Sequence, residues 1–159
     1  PSSSTSPLQV RAVTTRTCNG LGLELGDEAT HGSFEAFARH SPVRPEHRPT
    51  MERMLAAIAA PVGFAFVQEA GEPLALAIGA VDGGWMGLFD VLVLPAARRR
   101  GLARKVTESL YAWAWRQGAR TAWLQVVATN AAALPLYAAQ GFRTVYAYEY
   151  RVPSPAPAT

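Results

Sequence analysis

The amino-acid sequence predicts an α/β protein in which helices cover a central mixed sheet, and three observations carry this expectation. Apolar runs at Val62 to Gln68, Leu74 to Val81 and Trp85 to Leu94 are separated only by Glu69-Ala70-Gly71-Glu72-Pro73 and Asp82-Gly83-Gly84. Both separators are turn chemistry, and short turns make the three strands an antiparallel meander. From Gly101 to Gln117, Leu102, Val106, Leu110 and Trp113 fall on one helical stripe. Strand and helix then alternate to the end of the chain, as they do where helices pack on the faces of a sheet.

Taken in order, Leu8, Val10 and Ala12 alternate with polar neighbours, as do Leu21, Leu23 and Leu25, and read as one or two strands. Asp27 to Arg39 reads as a short helix with Phe34 and Phe37 on one face. Thr50 is expected to cap a second helix, whose Met51, Met54, Leu55 and Ile58 have core spacing and which Pro61 ends. Gly118 is placed to terminate the helix that begins at Gly101, and Thr121 to Val127 is the next strand. Asn130 can cap a helix reaching Gln140, with Gly141 as its stop; Pro135 inside it removes a backbone bond and argues for a later start. Phe142 to Val152 alternates aromatic and polar residues as a last strand. The Ser/Thr/Pro-rich Pro1 to Pro7 and the Pro153 to Thr159 stretch have little to bury, so disordered tails are expected around a single domain over residues 8–152.

The chain has 159 residues, 49% apolar and 17% charged, a globular rather than a disordered composition. No apolar stretch is long enough for a bilayer and no signal peptide is read at the start. Because the chain opens on Pro1 rather than methionine, an upstream segment is left open. A single cysteine, Cys18, excludes an internal disulfide and suits a cytoplasmic location. His31, His40 and His47 match no zinc spacing, so no metal is expected. The net charge is +3, with Lys105 the only lysine. Arg98, Arg99, Arg100 and Arg104 crowd into one short stretch.

That stretch lies within D-V-L-V-L-P-A-A-R-R-R-G-L-A-R-K-V, Asp90 to Val106. A buried strand, an arginine-rich turn and a glycine-opened helix follow one another. The first-turn N–H groups of a helix lack internal partners and the dipole is positive there, so the spot suits a phosphate. On physics alone, a helix start with a solvated arginine cluster weighs equally. Neither a Walker loop nor G-x-G-x-x-G is present.

R-R-R-G-L-A, Arg98 to Ala103, resembles the (Q/R)-x-x-G-x-(G/A) acetyl-CoA signature of the GNAT N-acetyltransferase superfamily. T-N-A-A-A-L-P-L-Y-A-A-Q-G-F, Thr129 to Phe142, resembles that superfamily's second block, and the two are separated by helix, strand and helix. The resemblance covers Val62 to Tyr150. It implies a mostly antiparallel sheet with a splayed strand pair, in which Val91, Leu92 and Val93 bind the pantetheine arm of acetyl-CoA. The amides of Arg99, Arg100, Gly101, Leu102, Ala103 and Arg104 would hold the pyrophosphate, with Arg98 in the Q/R position. Asn130 matches a contact to the CoA arm. Tyr137 matches the tyrosine near the thioester sulfur, a general acid; its structural alternative is packing beside Leu134 and Leu136.

The activity implied is acetyl-CoA-dependent N-acetylation of an amine, on a small molecule or a protein or peptide α-amine, by direct attack on the thioester. In detail the second block resembles the ribosomal-protein alanine N-acetyltransferase branch, where a glutamate five residues before the asparagine is the general base. Here Gln125 stands there, and an amide cannot take the proton. This points to acceptors of low pKa, or else to a catalytically poor acyl-CoA-binding module. Asp90, alone in an apolar G-L-F-D-V-L-V run, needs a partner or water. It is a candidate contact for the acceptor amine, equally weighted against an aspartate at a solvated splay, with Glu149 as a weaker rival. Nucleic-acid binding by the arginines is argued against by the lack of interleaved aromatics. The partners implied are acetyl-CoA and an amine; a homodimer is left open.

Overall fold

One twisted sheet organises the computed structural model, which describes residues 4–11, 23–26, 44–69 and 72–151, the first two stretches and Glu72 as backbone only. Its elements are β1 (Ser4–Arg11), β2 (Leu23–Gly26), α1 (Arg48–Ala56), β3 (Val62–Glu69), β4 (Glu72–Asp82), β5 (Trp85–Val93), α2 (Leu102–Arg116), β6 (Thr121–Val127), α3 (Ala133–Ala139), β7 (Phe142–Thr144) and β8 (Tyr148–Glu149). The strand order is β2-β3-β4-β5-β6-β1-β7, with β8 also on β1. Every pairing is antiparallel except β5 with β6. The meander of β3, β4 and β5 is as expected, because Gly83 and Gly84 supply the positive φ of its tight turn. Among the described residues no helix is long and apolar enough to cross a membrane.

Period-two alternation divides the apolar residues between two faces. Ala65, Val67, Ala75, Ala77, Met86, Leu88 and Leu124 pack with Leu102, Val106, Leu110 and Trp113 of α2. On the opposite face Phe64, Phe66, Leu76 and Ile78 are only partly roofed, by Met51 and Leu55 of α1. Two glycines make room for α2. A Cβ on Gly63 would stand 2.8–3.0 Å from the Trp113 ring, and one on Gly79 3.4 Å from Leu110 Cδ2 of α2 and 2.7 Å from Met86 Cε of β5. The end of α2 is fixed as the sequence predicts. Gly118 has φ 93°, Gly118 N donates to Trp115 O (3.1 Å) and Ala119 N to Ala114 O (2.9 Å), a Schellman pair.

Several boundaries differ from expectation. β1 starts at Ser4, inside the stretch read as a tail, because main-chain pairing to β6 needs no apolar side chains. Helix α1 starts at Arg48, so Thr50 is inside it; its Oγ1 accepts from Arg53 Nη2 (3.3 Å) rather than capping. The helix also ends at Ala56, well before Pro61. Met54 (66% exposed) and Ile58 (36%) are not core residues. Helix α3 starts only at Ala133, which puts Pro135 in the first turn, where its missing N–H costs nothing. The last strand is broken into β7 and β8, which pair with Leu8–Val10 and Ser4–Thr5 of β1. Pro7 lies between those two stretches and has no N–H to offer the ladder. The expected helix from Asp27 to Arg39, Leu21, Ala12, Cys18, His31, His40 and the Pro153 to Thr159 tail lie outside the described residues.

Replacing Gly63 with alanine forces a methyl group into the buried Trp113 ring. Gly63→Ala should therefore destabilise the fold by about 1–3 kcal/mol, an overpacking cost, read as a lowered midpoint in urea unfolding with an unchanged slope.

Candidate active site

The parallel pairing of β5 with β6 runs only from Trp85 opposite Thr121 to Leu88 opposite Leu124. Beyond it β5 stays with β4 through Val93, while β6 stays with β1 through Val127, so a wedge opens between them. Leu94 N donates to Leu74 O on the β4 side (2.9 Å). With a period of two, Leu92 also turns its main-chain groups to β4, and Val91 and Val93 turn theirs into the wedge. Of the three residues expected to meet the pantetheine arm, Val91 and Val93 are thus the pair whose main-chain groups face the wedge, with Val93 O also within reach of Arg98 Nε (3.5 Å).

At the mouth of the wedge β5 carries a bulge. Leu92 pairs with Leu76 and Phe89 with Ile78, which leaves Asp90 and Val91 opposite Ala77 alone. Asp90 has φ 49°, a left-handed conformation that aspartate tolerates better than most residues. The kink aims Asp90 into a hollow of about 460 Å³ between α1 and the β4–β5 surface. Its apolar walls include Met51, Met54, Leu55, Ile58, Ile78 and Phe89, with His47 and Thr50 also lining it. Although the residue keeps some exposure, displaced water around the carboxyl pushes its pKa above the ordinary aspartate value. A second hollow, about 580 Å³, lies on the other side of Phe89 and includes Trp85 and Trp123 but not Asp90. The divider is well built: Phe89 packs edge-on against Trp123, with centroids 5.4 Å apart. Gly87 permits it, since a Cβ there would lie 2.6 Å from Phe89 Cζ.

The arginine-rich turn follows β5 directly. Arg98 N–H is engaged by Pro95 O (3.3 Å), and the first bond of α2 is Lys105 N to Gly101 O (3.2 Å). The amides of residues 99–104 lie between these two bonds. Arg99 (φ 63°) and Gly101 (φ 73°) are both left-handed, so the turn alternates conformation as an anion-binding nest does. Leu102 is buried in the core and contributes only its main chain to this turn. Among the side chains, Arg98 Nε reaches Val93 O (3.5 Å), Arg100 pairs with Glu69 (3.0 Å) and Arg104 with Glu108 (2.7 Å). These are exposed pairs, worth little each and readily exchanged for a phosphate.

Tyr137 is buried and packs against Phe142, ring centroids 5.6 Å apart. Burial pushes its pKa up to about 12. Its neighbour Tyr111, also raised by burial, donates to Gln140 Oε1 (3.1 Å), and Gln140 Nε2 donates to Thr107 Oγ1 (2.7 Å). This chain of bonds ties α3 to α2. Asn130 does not sit at the N-cap of α3, which is Ala132; from the turn before the helix its Oδ1 accepts from Ala133 N–H (3.1 Å), which leaves its amide NH2 for another partner. Gln125 alternates with the buried Leu124 and Val126. It faces the Asp90 side of the sheet from the opposite lip of the wedge. Glu149 belongs to β8, on the far side of β6 and β1, roughly 14 Å from β5 at ordinary strand spacing. It does not join Asp90.

A wedge between parallel strands, a turn with two left-handed residues at its foot and a bulged carboxylate beside it are the features of this site. The profile of the acetyltransferase (GNAT) family matches residues 30–142, and the chain belongs to that family. A ribosomal protein bS18 alanine N-acetyltransferase of Escherichia coli strain K12 is 44% identical over 55 residues, 35% of this chain and 37% of that protein. The chain thus matches little more than a third of the length of that curated relative. The solved E. coli ribosomal-protein-S18-alanine N-acetyltransferase superposes with a TM-score of 0.62 at 27% identity, covering 76% of this chain and 77% of the other. A GNAT-family structure from Novosphingobium aromaticivorans DSM 12444 gives a TM-score of 0.68 at 21% identity over 92% of this chain and 62% of its own. These likenesses establish the splayed mixed sheet that the sequence resemblance implies.

A tyrosine whose folded pKa lies above its unfolded value stabilises the fold fully below pH ~10 and loses that contribution as pH rises towards the folded value. Tyr137→Phe should therefore remove part of the alkaline destabilisation between pH ~10 and about 12. Urea midpoints measured across that range for both proteins check this.

Proposed function

We propose that this chain is an acetyl-CoA-dependent N-acetyltransferase that acts on an amine by direct attack on the thioester. The observation that carries the reading is the alignment of the β5–β6 wedge with the nest of amides at residues 99–104. A long thioester arm carried on a pyrophosphate is the ligand such a surface fits. The amides of the nest and the α2 N-terminus would hold the pyrophosphate, with Arg98, Arg99, Arg100 and Arg104 adding charge around it. Val91 and Val93 would pair with the arm as a neighbouring strand would, and Asn130 would contact it from α3.

The bound thioester supplies an acyl carbon open to a nucleophile. An N–H of β5 turned into the wedge polarises its carbonyl. Asp90 takes one proton from the incoming ammonium and passes it to water. The freed nitrogen lone pair forms the N–C bond as the C–S bond breaks. The nitrogen then loses a second proton, through solvent, to the departing sulfur. An alkyl thiol titrates near 8.5, well below Tyr137 at about 12. Tyr137 therefore stabilises the sulfur by donating a hydrogen bond rather than by surrendering its proton. This refines the role expected from the sequence.

Gln125 cannot be the base. A lysine-like amine is neutral in only about one molecule in 2,500 at pH 7, so some group must accept its proton. The raised pKa of Asp90 makes it a better base than an ordinary aspartate and lessens the restriction to weakly basic amines that Gln125 alone implies.

Acetyl-CoA at one hundred times its dissociation constant should stabilise the protein by about 2.7 kcal/mol. Gly101→Asp should abolish that shift, because it strains a left-handed position and sets a negative charge beside the phosphates. An unchanged melting temperature with acetyl-CoA, CoA and longer acyl-CoAs would remove the reading, whereas binding without CoA release for any amine would leave an acyl-CoA-binding module.

Tyr137→Phe should lower kcat about 10²-fold, the scale of losing one preorganised donor, with little change in acetyl-CoA affinity. Equal kcat values for mutant and wild type would assign Tyr137 to packing alone.

A further inference from the structure

The hollow in front of Asp90 is more particular than a general opening for amines. Its floor is Ile78 and Ala80, one side is the Met51, Met54 and Leu55 face of α1 with Ile58 just beyond its end, and Phe89 closes an end. The closure depends on Gly87, over which the Phe89 ring lies to meet Trp123 edge to plane at 89°. At about 460 Å³ the space is of small-molecule size. Met54 and Ile58 are held at its surface, 66% and 36% exposed, although their spacing suits a core. Among the described residues lining it, Asp90 is the only carboxylate.

We propose that this hollow is the acceptor subsite of the N-acetyltransferase, and that it takes a primary amine borne on a compact apolar body, an arylalkyl or branched alkyl group. The inference rests on the function proposed above. The apolar body displaces water from Met51, Met54, Leu55, Ile58, Ile78 and Phe89. The amine meets the Asp90 carboxylate where the bulge turns it into the hollow. A polyamine or an aminoglycoside would bring several charges or hydroxyls against described walls whose polar side chains besides Asp90 are only His47 and Thr50, at a cost of about 1–3 kcal/mol for each group left unsatisfied. A peptide terminus would bring polar main-chain groups against the same apolar walls. The apolar surroundings also help the chemistry, because a proton moving from ammonium to carboxylate removes two charges from a poorly solvated place.

The test measures CoA release by the full chain from acetyl-CoA, with phenethylamine, isoamylamine, spermidine, kanamycin and a hexapeptide with a free N-terminal alanine. Acetyl-CoA binding is followed separately by thermal shift. The two compact apolar amines should have kcat/KM at least about tenfold above the other three. Phe89→Ala should raise KM for phenethylamine about tenfold, the scale of lost methylenes in an apolar pocket, while the KM of acetyl-CoA stays put. Phe89→Leu, which keeps more of the wall, should fall between, and guards against a variant that fails to fold. Asp90→Asn should lower kcat/KM for every accepted amine. Preference for spermidine, kanamycin or the peptide overturns the subsite but leaves an N-acetyltransferase standing. Acetyl-CoA binding with neither apolar amine acetylated also overturns it. Absence of acetyl-CoA binding itself removes the underlying function.

Discussion

Main-chain N–H and C=O groups in the middle of a sheet need partners, and β5 supplies them on one side only once it has passed Leu88. The cost of leaving such groups unpaired is about 1–3 kcal/mol each when they are buried. A central strand that parts from its neighbour therefore holds a standing attraction for a ligand able to act as a strand. The rest of the architecture protects that opening. β4 holds β5 in place from behind, β1 draws β6 away from it, and the arginine-rich turn is delivered to its foot by the end of the same strand.

The face covered by α2 keeps the opening rigid. Trp113 lies over Gly63, and Leu110 and Met86 crowd Gly79, so the helix sits close against β3 and β4. Its first turn is thereby fixed relative to the C-terminal end of β5. The Tyr111–Gln140–Thr107 bonds extend this rigidity to α3, and with it to Tyr137. The opposite face is looser by comparison: α1 roofs Phe64, Phe66, Leu76 and Ile78 only partly. The wedge is thus backed by a dense layer on one side and faced by an open one on the other.

How far the sequence discloses this follows from the range of each interaction. The meander and α2 are legible because period and turn chemistry are local, and the Gly118 stop is a local αL signal. The nest is legible as a glycine after arginines, although the left-handed Arg99 beside it is not. Asp90 is noticeable as a charge in an apolar run, but the bulge that aims it depends on how β4 and β5 count residues against each other. Met54 and Ile58 look like core residues because spacing reports a face and not what covers it. The broken end of the last strand is hidden for a similar reason: Pro7, which interrupts its partner, stands at the other end of the chain. The Asp90 hollow needs α1, Gly87 and Trp123 together, three places far apart in sequence.

The bulge has a consequence for how such a chain can change. Leu92 and Phe89 already stand opposite Leu76 and Ile78, so the ladder counts Asp90 as one residue too many. Val91 packs with the same layer as Ala77, and it would simply take the place across from it if Asp90 were lost. Every remaining side chain of β5 would keep its face. The residue carrying the carboxylate is thus a supernumerary in the sheet, and a lineage could gain or lose it by a single codon insertion or deletion without re-registering a strand.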